Sequence, residues 1–178
     1  MLSSTRQLRE VPPPEEGVSL RIMTVADLDQ VLRIERSSFA SPWKMEHFLH
    51  EIQSNRWAVN WVLEAGSRVI GYSCSWCIHD ELKINNIAIH EDMRGRRLGR
   101  WLLVCVLREA LTRGCRSATL EVRPSNEAAV KLYRDHGFVE ISRRPNYYSA
   151  EGEDAVVMSA ELSRRKWRAI AAASAGKV

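Results

Sequence analysis

Between residues 99 and about 113 the chain runs G-R-W-L-L-V-C-V-L-R-E-A-L-T-R, with Trp101, Leu102, Leu103, Val104, Val106, Leu107 and Leu111 leaving almost no polar side on a helix. A helix that is apolar nearly all round belongs inside a core. Strand-like runs flank it, over 82–90 before and 116–123 after. The middle of the chain therefore commits to a helix buried against strands, which is a mixed α/β arrangement.

The flanking segments extend that order. A strand over 19–23 leads into a helix from about 26, with Leu28, Val31, Leu32 and Ile34 along one side and Thr24 as its cap. Ser41 and Pro42 interrupt it, and a second helix from about 44 carries Met45, Phe48, Leu49 and Ile52 at helical spacing. Runs over 57–64 and 68–78, joined by Ala65, Gly66 and Ser67, read as a hairpin. After the central unit come a helix over 126–136 ended by Gly137, a strand over 138–144 and a last strand over 154–162. Four helices and about seven strands make one α/β domain, residues 18–162, around a mixed, mostly antiparallel sheet.

Length and composition agree with a single soluble domain: 178 residues, 45% hydrophobic and 27% charged, can bury a sizeable core. Residues 1–17, with Pro12, Pro13, Pro14, Glu15, Glu16 and Gly17, read as a flexible leader, and 163–178 as a basic tail carrying Arg164, Arg165, Lys166, Arg168 and Lys177. The tail is either solvated or a weak contact for RNA. A net charge of +4 is too mild to imply nucleic acid by itself and suits an anionic ligand. No apolar run approaches the ~20 residues that span a bilayer, and the N-terminus has no hydrophobic signal core, so a cytoplasmic protein is expected. Cys74 and Cys77 form a C-x-x-C, but on a strand that spacing points the thiols to opposite faces. No second pair follows at zinc spacing, so no metal is expected.

The chemistry-bearing residues cluster after residue 82. In the 82–90 strand Leu82 and Ile84 share one parity while Ile87 and Ile89 take the other, which a bulge near Asn85 and Asn86 reconciles; a strand buried on both faces gives the same pattern. Residues 93–99 lie between a strand and a long helix, where free amides and the dipole favour an anion, and Arg94, Arg96, Arg97 and Arg100 add charge. The alternative is a solvated basic turn. Glu121 alternates away from Leu120 and Val122, as a salt-bridge partner for Arg123 or a neighbouring strand, or as a proton acceptor. Asn126 and Tyr133, two turns apart, share a helix face with Ala129 and Val130; Tyr133 reads as a proton donor or as core packing.

Taken together, the chain resembles the GCN5-related N-acetyltransferase family. The general marks are R-G-R-R-L-G over 94–99 and L-Y-R-D-H-G-F over 132–138. More specific are E-R-S-S-F-A-S-P-W over 35–43, N-I-A-I over 86–89, L-E-V-R-P-S-N over 120–126, N-Y-Y over 146–148 and E-D-A-V-V-M over 153–158, which resemble the ribosomal-protein-alanine (RimI-type) branch. The resemblance implies a sheet splayed at the cofactor site, with acetyl-coenzyme A along the bulged strand. In that reading Ile87, Ala88 and Ile89 hold its pantetheine and acetyl carbonyl. Arg94, Gly95, Arg96, Arg97, Leu98, Gly99 and Arg100 cradle its pyrophosphate, and Asn126 touches the pantetheine arm. Glu121 takes the amine proton, Tyr133 protonates the leaving thiolate, and no cysteine intermediate forms. The implied acceptor is the N-terminal alanine of a small-subunit ribosomal protein, received near Trp43, Tyr147 and Tyr148, which read equally as core or rim aromatics. A lysine or small-amine acceptor, or a non-catalytic coenzyme A-binding module, are the competing readings. One departure stands out: Arg97 occupies the place where the loop usually has its first glycine.

Overall fold

The computed structural model describes residues 12–163; residues 1–11 of the leader and the tail from 164 onward lie outside the described residues. In chain order the elements are β1 (Val18–Ile22), a 3-10 turn (Val25–Asp27), α1 (Leu28–Ser38), α2 (Met45–Gln53), β2 (Ala58–Ala65), β3 (Arg68–Ile78), β4 (Glu81–Ile89), a 3-10 turn (Glu91–Met93), α3 (Leu98–Thr112), β5 (Ser117–Val122), α4 (Glu127–Asp135), β6 (Val139–Tyr148) and β7 (Glu153–Glu161). The strands form one sheet in the order β1-β2-β3-β4-β5-β7-β6. Every neighbouring pair is antiparallel except β4 with β5.

Two apolar clusters cover the two faces of this sheet. On one, α3 buries Leu98, Leu102, Leu103, Val106 and Leu107 against Leu63, Ile70, Leu82, Ile84 and Leu120. On the other, α1 and α2 bury Leu28, Val31, Ile34 and Phe48 against Val62, Val69, Tyr72 and Cys74. The all-round apolar α3 is thus the main helix of the core. Cys74 packs with the α1 cluster and Cys77 with the α3 cluster, as the odd spacing requires, and all four cysteines are free thiols.

The parity switch in β4 is a bulge. Cys74 faces Asn86 and Ser75 faces Ile84, which leaves Asn85 as the extra residue. Before it Leu82 and Ile84 point to the α3 side; after it Ile87 and Ile89 take that side and Ala88 turns to α1. Beyond the bulge β4 also leaves its parallel neighbour, because pairing with β5 runs only from Glu81↔Ser117 to Ile84↔Leu120. The sheet is splayed there.

Two boundaries differ from the sequence reading. The first helix opens with a 3-10 turn, so α1 begins at Leu28. Asp27 folds back to accept from the Thr24 amide (2.8 Å) and hydroxyl (2.9 Å) while Arg21 holds its other side at 2.6 Å, which tightens that first turn. The strand expected to stop at residue 144 continues as β6 to Tyr148. Its register with β7 slips between Arg144 and Tyr148, where Pro145 offers no amide and Asn146 adopts φ 50°. An edge strand tolerates such an interruption because one side needs no ladder partner.

Candidate active site

Strand alternation places the site. On β5 Ala118, Leu120 and Val122 enter the α3 core, so Glu121 points to the opposite face. On β4 Leu82 and Ile84 do the same, which sends Lys83 to Glu121's side. Lys83 Nζ lies 3.3 Å from Glu121 Oε1, and Arg144 of β6 lies 3.1 Å from the same oxygen. The carboxylate is 9% exposed, so a pair of cations offsets its desolvation. Of the two partners the sequence left open, neighbouring strands supply the pairing, and Arg123 pairs with Glu151 at 2.8 Å.

Glu121 and Lys83 open into a cavity of about 480 Å³ whose aromatic walls are Phe39, Trp43, Trp76, Tyr147 and Tyr148. Tyr148 donates its hydroxyl to the Glu121 carbonyl at 3.3 Å, stacks edge-on with Tyr147 at 5.1 Å and has its phenol pushed up to about 12, chiefly by burial. Trp43 packs on Phe48 at 5.4 Å and keeps an edge in the cavity. All three aromatics singled out in the sequence therefore line one wall system with Glu121.

A residue that sequence reasoning passed over holds the floor. Glu35 on α1 is fully buried and accepts from the Trp43 amide at 2.7 Å, from Asn86 Nδ2 at 3.1 and 3.2 Å, and from the Tyr72 hydroxyl. One carboxylate thus ties the loop after α1, the bulge of β4 and the middle of β3 together. Burial pushes it up to about 7, against the donors that favour its charged form. Glu35 opens the E-R-S-S-F-A-S-P-W run, but that run does not point to these contacts, because its partners lie 8, 37 and 51 residues away.

The segment expected to bind an anion lies at the far end of β4. Arg97 caps α3 with φ 61°, the left-handed conformation that glycine adopts most easily and that Gly95 also takes, at φ 77°. The departure at Arg97 therefore changes the side chain while keeping the backbone turn. Arg94 braces the loop, donating to the Ile89 carbonyl and to Ser38 Oγ, each at 3.1 Å. Arg96 already grips a carboxylate: its Nε lies 2.7 Å from Glu15 Oε1 and its NH2 bonds the other oxygen. That fork-on-carboxylate pair shows that the Arg96 guanidinium is placed where it can take an anion. Gly71 of β3 opposes Ile89, and a Cβ there would meet Ile89 Cδ1 at 2.6 Å.

Tyr133 and Asn126 lie outside the walls of the aromatic cavity. Tyr133 is buried in the α3 cluster beside Phe138, at 5.7 Å between rings. Burial and the nearby Tyr148 raise its phenol above the usual range. Asn126 caps α4, its Oδ1 accepting from the Ala129 amide at 3.2 Å. The backbone of Ile87, Ala88 and Ile89 lines the β4 side of the splay. Among the described residues no group of three or more His, Cys, Asp or Glu side chains is arranged to hold a metal, and no helix is long and apolar enough to cross a membrane.

The comparisons bear on this geometry directly. The profile of the acetyltransferase (GNAT) family matches residues 28–138. A Salmonella typhimurium [ribosomal protein bS18]-alanine N-acetyltransferase is 37% identical over 147 residues, 82% of this chain and 98% of that one. A Bacillus subtilis protein provisionally given the same name is 39% identical over 140 residues, 79% of this chain and 93% of its own length. The crystal structure of the ribosomal-protein-S18-alanine N-acetyltransferase from Escherichia coli superposes with a TM-score of 0.76 at 32% identity, covering 82% of this chain and 94% of that one. With the splayed β4 and β5, the bulge in β4 and the loop before α3, these matches establish that the chain belongs to the GNAT family of acetyltransferases.

Proposed function

We propose that this protein moves the acetyl group of acetyl-coenzyme A to the N-terminal α-amine of an alanine, that of ribosomal protein bS18, in the cytoplasm. The observation that carries the reading is Glu121. It stands at the mouth of the splay with a 480 Å³ aromatic cavity on one side and the bulged strand on the other. Relatives named for this reaction, alike over nearly their whole length, supply the acceptor.

The donor supplies an activated acyl carbon and a thiolate leaving group. Residues 94–100 hold its pyrophosphate, and the backbone of Ile87, Ala88 and Ile89 orients its arm and acyl oxygen. Asn126 gives its amide NH₂ to the same arm while its oxygen stays in the helix cap. Trp43, Tyr147 and Tyr148 flank the acceptor's first residues. An α-amine titrates near 8, so much of it is protonated at neutral pH and must lose a proton to attack. Glu121 accepts that proton, directly or through one water. Tyr133, kept protonated by its burial, donates to the departing sulfur. Incubation with labelled acetyl-coenzyme A and a ribosomal-protein mixture tests the reading, with the acetyl group located by mass spectrometry. Label on the α-amine of bS18 is the expected result. Label on lysine side chains or small amines alone overturns the acceptor, and binding without any thiol release overturns the enzyme reading.

A further inference from the structure

Lys83 is the one described lysine whose ammonium lies in the cavity, and nothing in the reaction above uses it. Its Nζ is 3.3 Å from Glu121 and its side chain is 32% exposed, so it is sheltered without being sealed off. A base that deprotonates an amine during its attack must sit beside both that amine and the acyl carbon. An amine already held against Glu121 occupies the neighbourhood an acceptor amine has to reach. We propose that Lys83 is a site of self-acetylation, acting as an intramolecular acceptor when no peptide fills the cavity. The inference rests on Glu121 being the proton acceptor.

The step balances without any further reagent. The Lys83 ammonium gives one proton to Glu121, its nitrogen forms a bond to the acyl carbon, and the carbon–sulfur bond breaks. The second nitrogen proton is lost as the amide forms, and the thiolate is protonated to free coenzyme A. The products are Nε-acetyl-Lys83 and coenzyme A, with one net proton released. Because an acceptor peptide fills the same space beside Glu121, Lys83 reacts only when that acceptor is missing. Once acetylated it loses its charge, leaves Glu121 to Arg144 alone and fills acceptor space, so the modified enzyme turns over peptide less well.

The test incubates the full chain with isotopically labelled acetyl-coenzyme A without acceptor, then locates label by peptide mapping. Lys131, whose side chain is 76% exposed, reports uncatalysed chemical acetylation. Lys83 is expected to carry at least about tenfold more label than Lys131, at a rate per chain independent of protein concentration, and to be protected by excess acceptor peptide. Label at Lys83 no greater than at Lys131, or a rate that scales with protein concentration, overturns the proposal. The Glu121→Gln variant, assayed in parallel on peptide, separates the two ideas. If it loses peptide acetylation while the unsubstituted chain leaves Lys83 unlabelled, only self-acetylation falls. If it acetylates peptide at the unsubstituted rate, the role of Glu121 falls, and this inference with it.

Discussion

Glu121 and Tyr133 have opposite settings, one a carboxylate gripped by two cations and the other a phenol sunk among apolar groups. Removing a positioned acid or base costs roughly 10²–10⁴-fold in rate. Glu121→Gln and Tyr133→Phe are each expected to lower kcat by that order, while thermal unfolding monitored by circular dichroism shows a folded chain. Unsubstituted kcat in both variants would remove them from the mechanism. Glu35 makes a different prediction. Its ordinary pKa of 4.5 is raised to about 7 on folding, so the folded state binds the proton more tightly. The stability this contributes is complete below the unfolded value and is lost as pH rises through about 7. The loss amounts to roughly 3 kcal/mol between about pH 4 and about pH 8. Denaturant titrations at those two pH values should show Glu35→Gln with a flatter pH dependence than the unsubstituted chain; an equal dependence would contradict the assignment. Glu121 was legible in the sequence because alternation singled it out between Leu120 and Val122. Its partners were not, since Arg144 reaches it only through the register of β6 on β7 and Lys83 only through the parallel pairing of β4 with β5.

At the scale of elements, β4 was the most readable strand. Its switch of parity is visible in Leu82 and Ile84 against Ile87 and Ile89, but only the register against β3 separates a bulge at Asn85 from an unbroken strand buried on both faces. The 3-10 start before α1 and the full length of β6 were not readable. The first depends on Asp27 turning back onto Thr24 and Arg21, a side-chain arrangement that apolar periodicity does not report, and the second on the strand lying at the sheet edge, where Pro145 is permitted. Cross-strand packing at Gly71 is also silent in the sequence. A methyl group there would crowd Ile89 Cδ1 at 2.6 Å, which must swing aside, and the Ala88 carbonyl at 3.0 Å, which must give slightly. Gly71→Ala should cost about 1–3 kcal/mol in denaturant stability and raise the KM for acetyl-coenzyme A, because the displaced segment is the one proposed to hold the donor. An unchanged KM together with unchanged stability would show that β4 absorbs the methyl group without moving.

For the whole molecule, the described part of the leader reaches the fold through Glu15. Glu15 reaches the loop before α3 and takes Arg96, so chain and donor phosphate would compete for the same guanidinium. An exposed pair of this kind is worth at most about 1 kcal/mol, which limits the competition to roughly fivefold. Glu15→Ala is expected to lower the KM for acetyl-coenzyme A by up to that factor with kcat unchanged, a difference that added salt should erase. A higher KM would mean that Glu15 instead holds the loop in its binding shape. The seven-strand sheet itself hangs on a narrow join: β1 to β4 form one ribbon, β5 to β7 another, and only the pairs from Glu81↔Ser117 to Ile84↔Leu120 stitch them. The molecule behaves like a zip fastener stopped halfway, and whatever lies in the open half becomes its slider. A donor lodged there, as proposed, would splint a seam that the two ribbons themselves leave unpaired beyond Ile84 and Leu120.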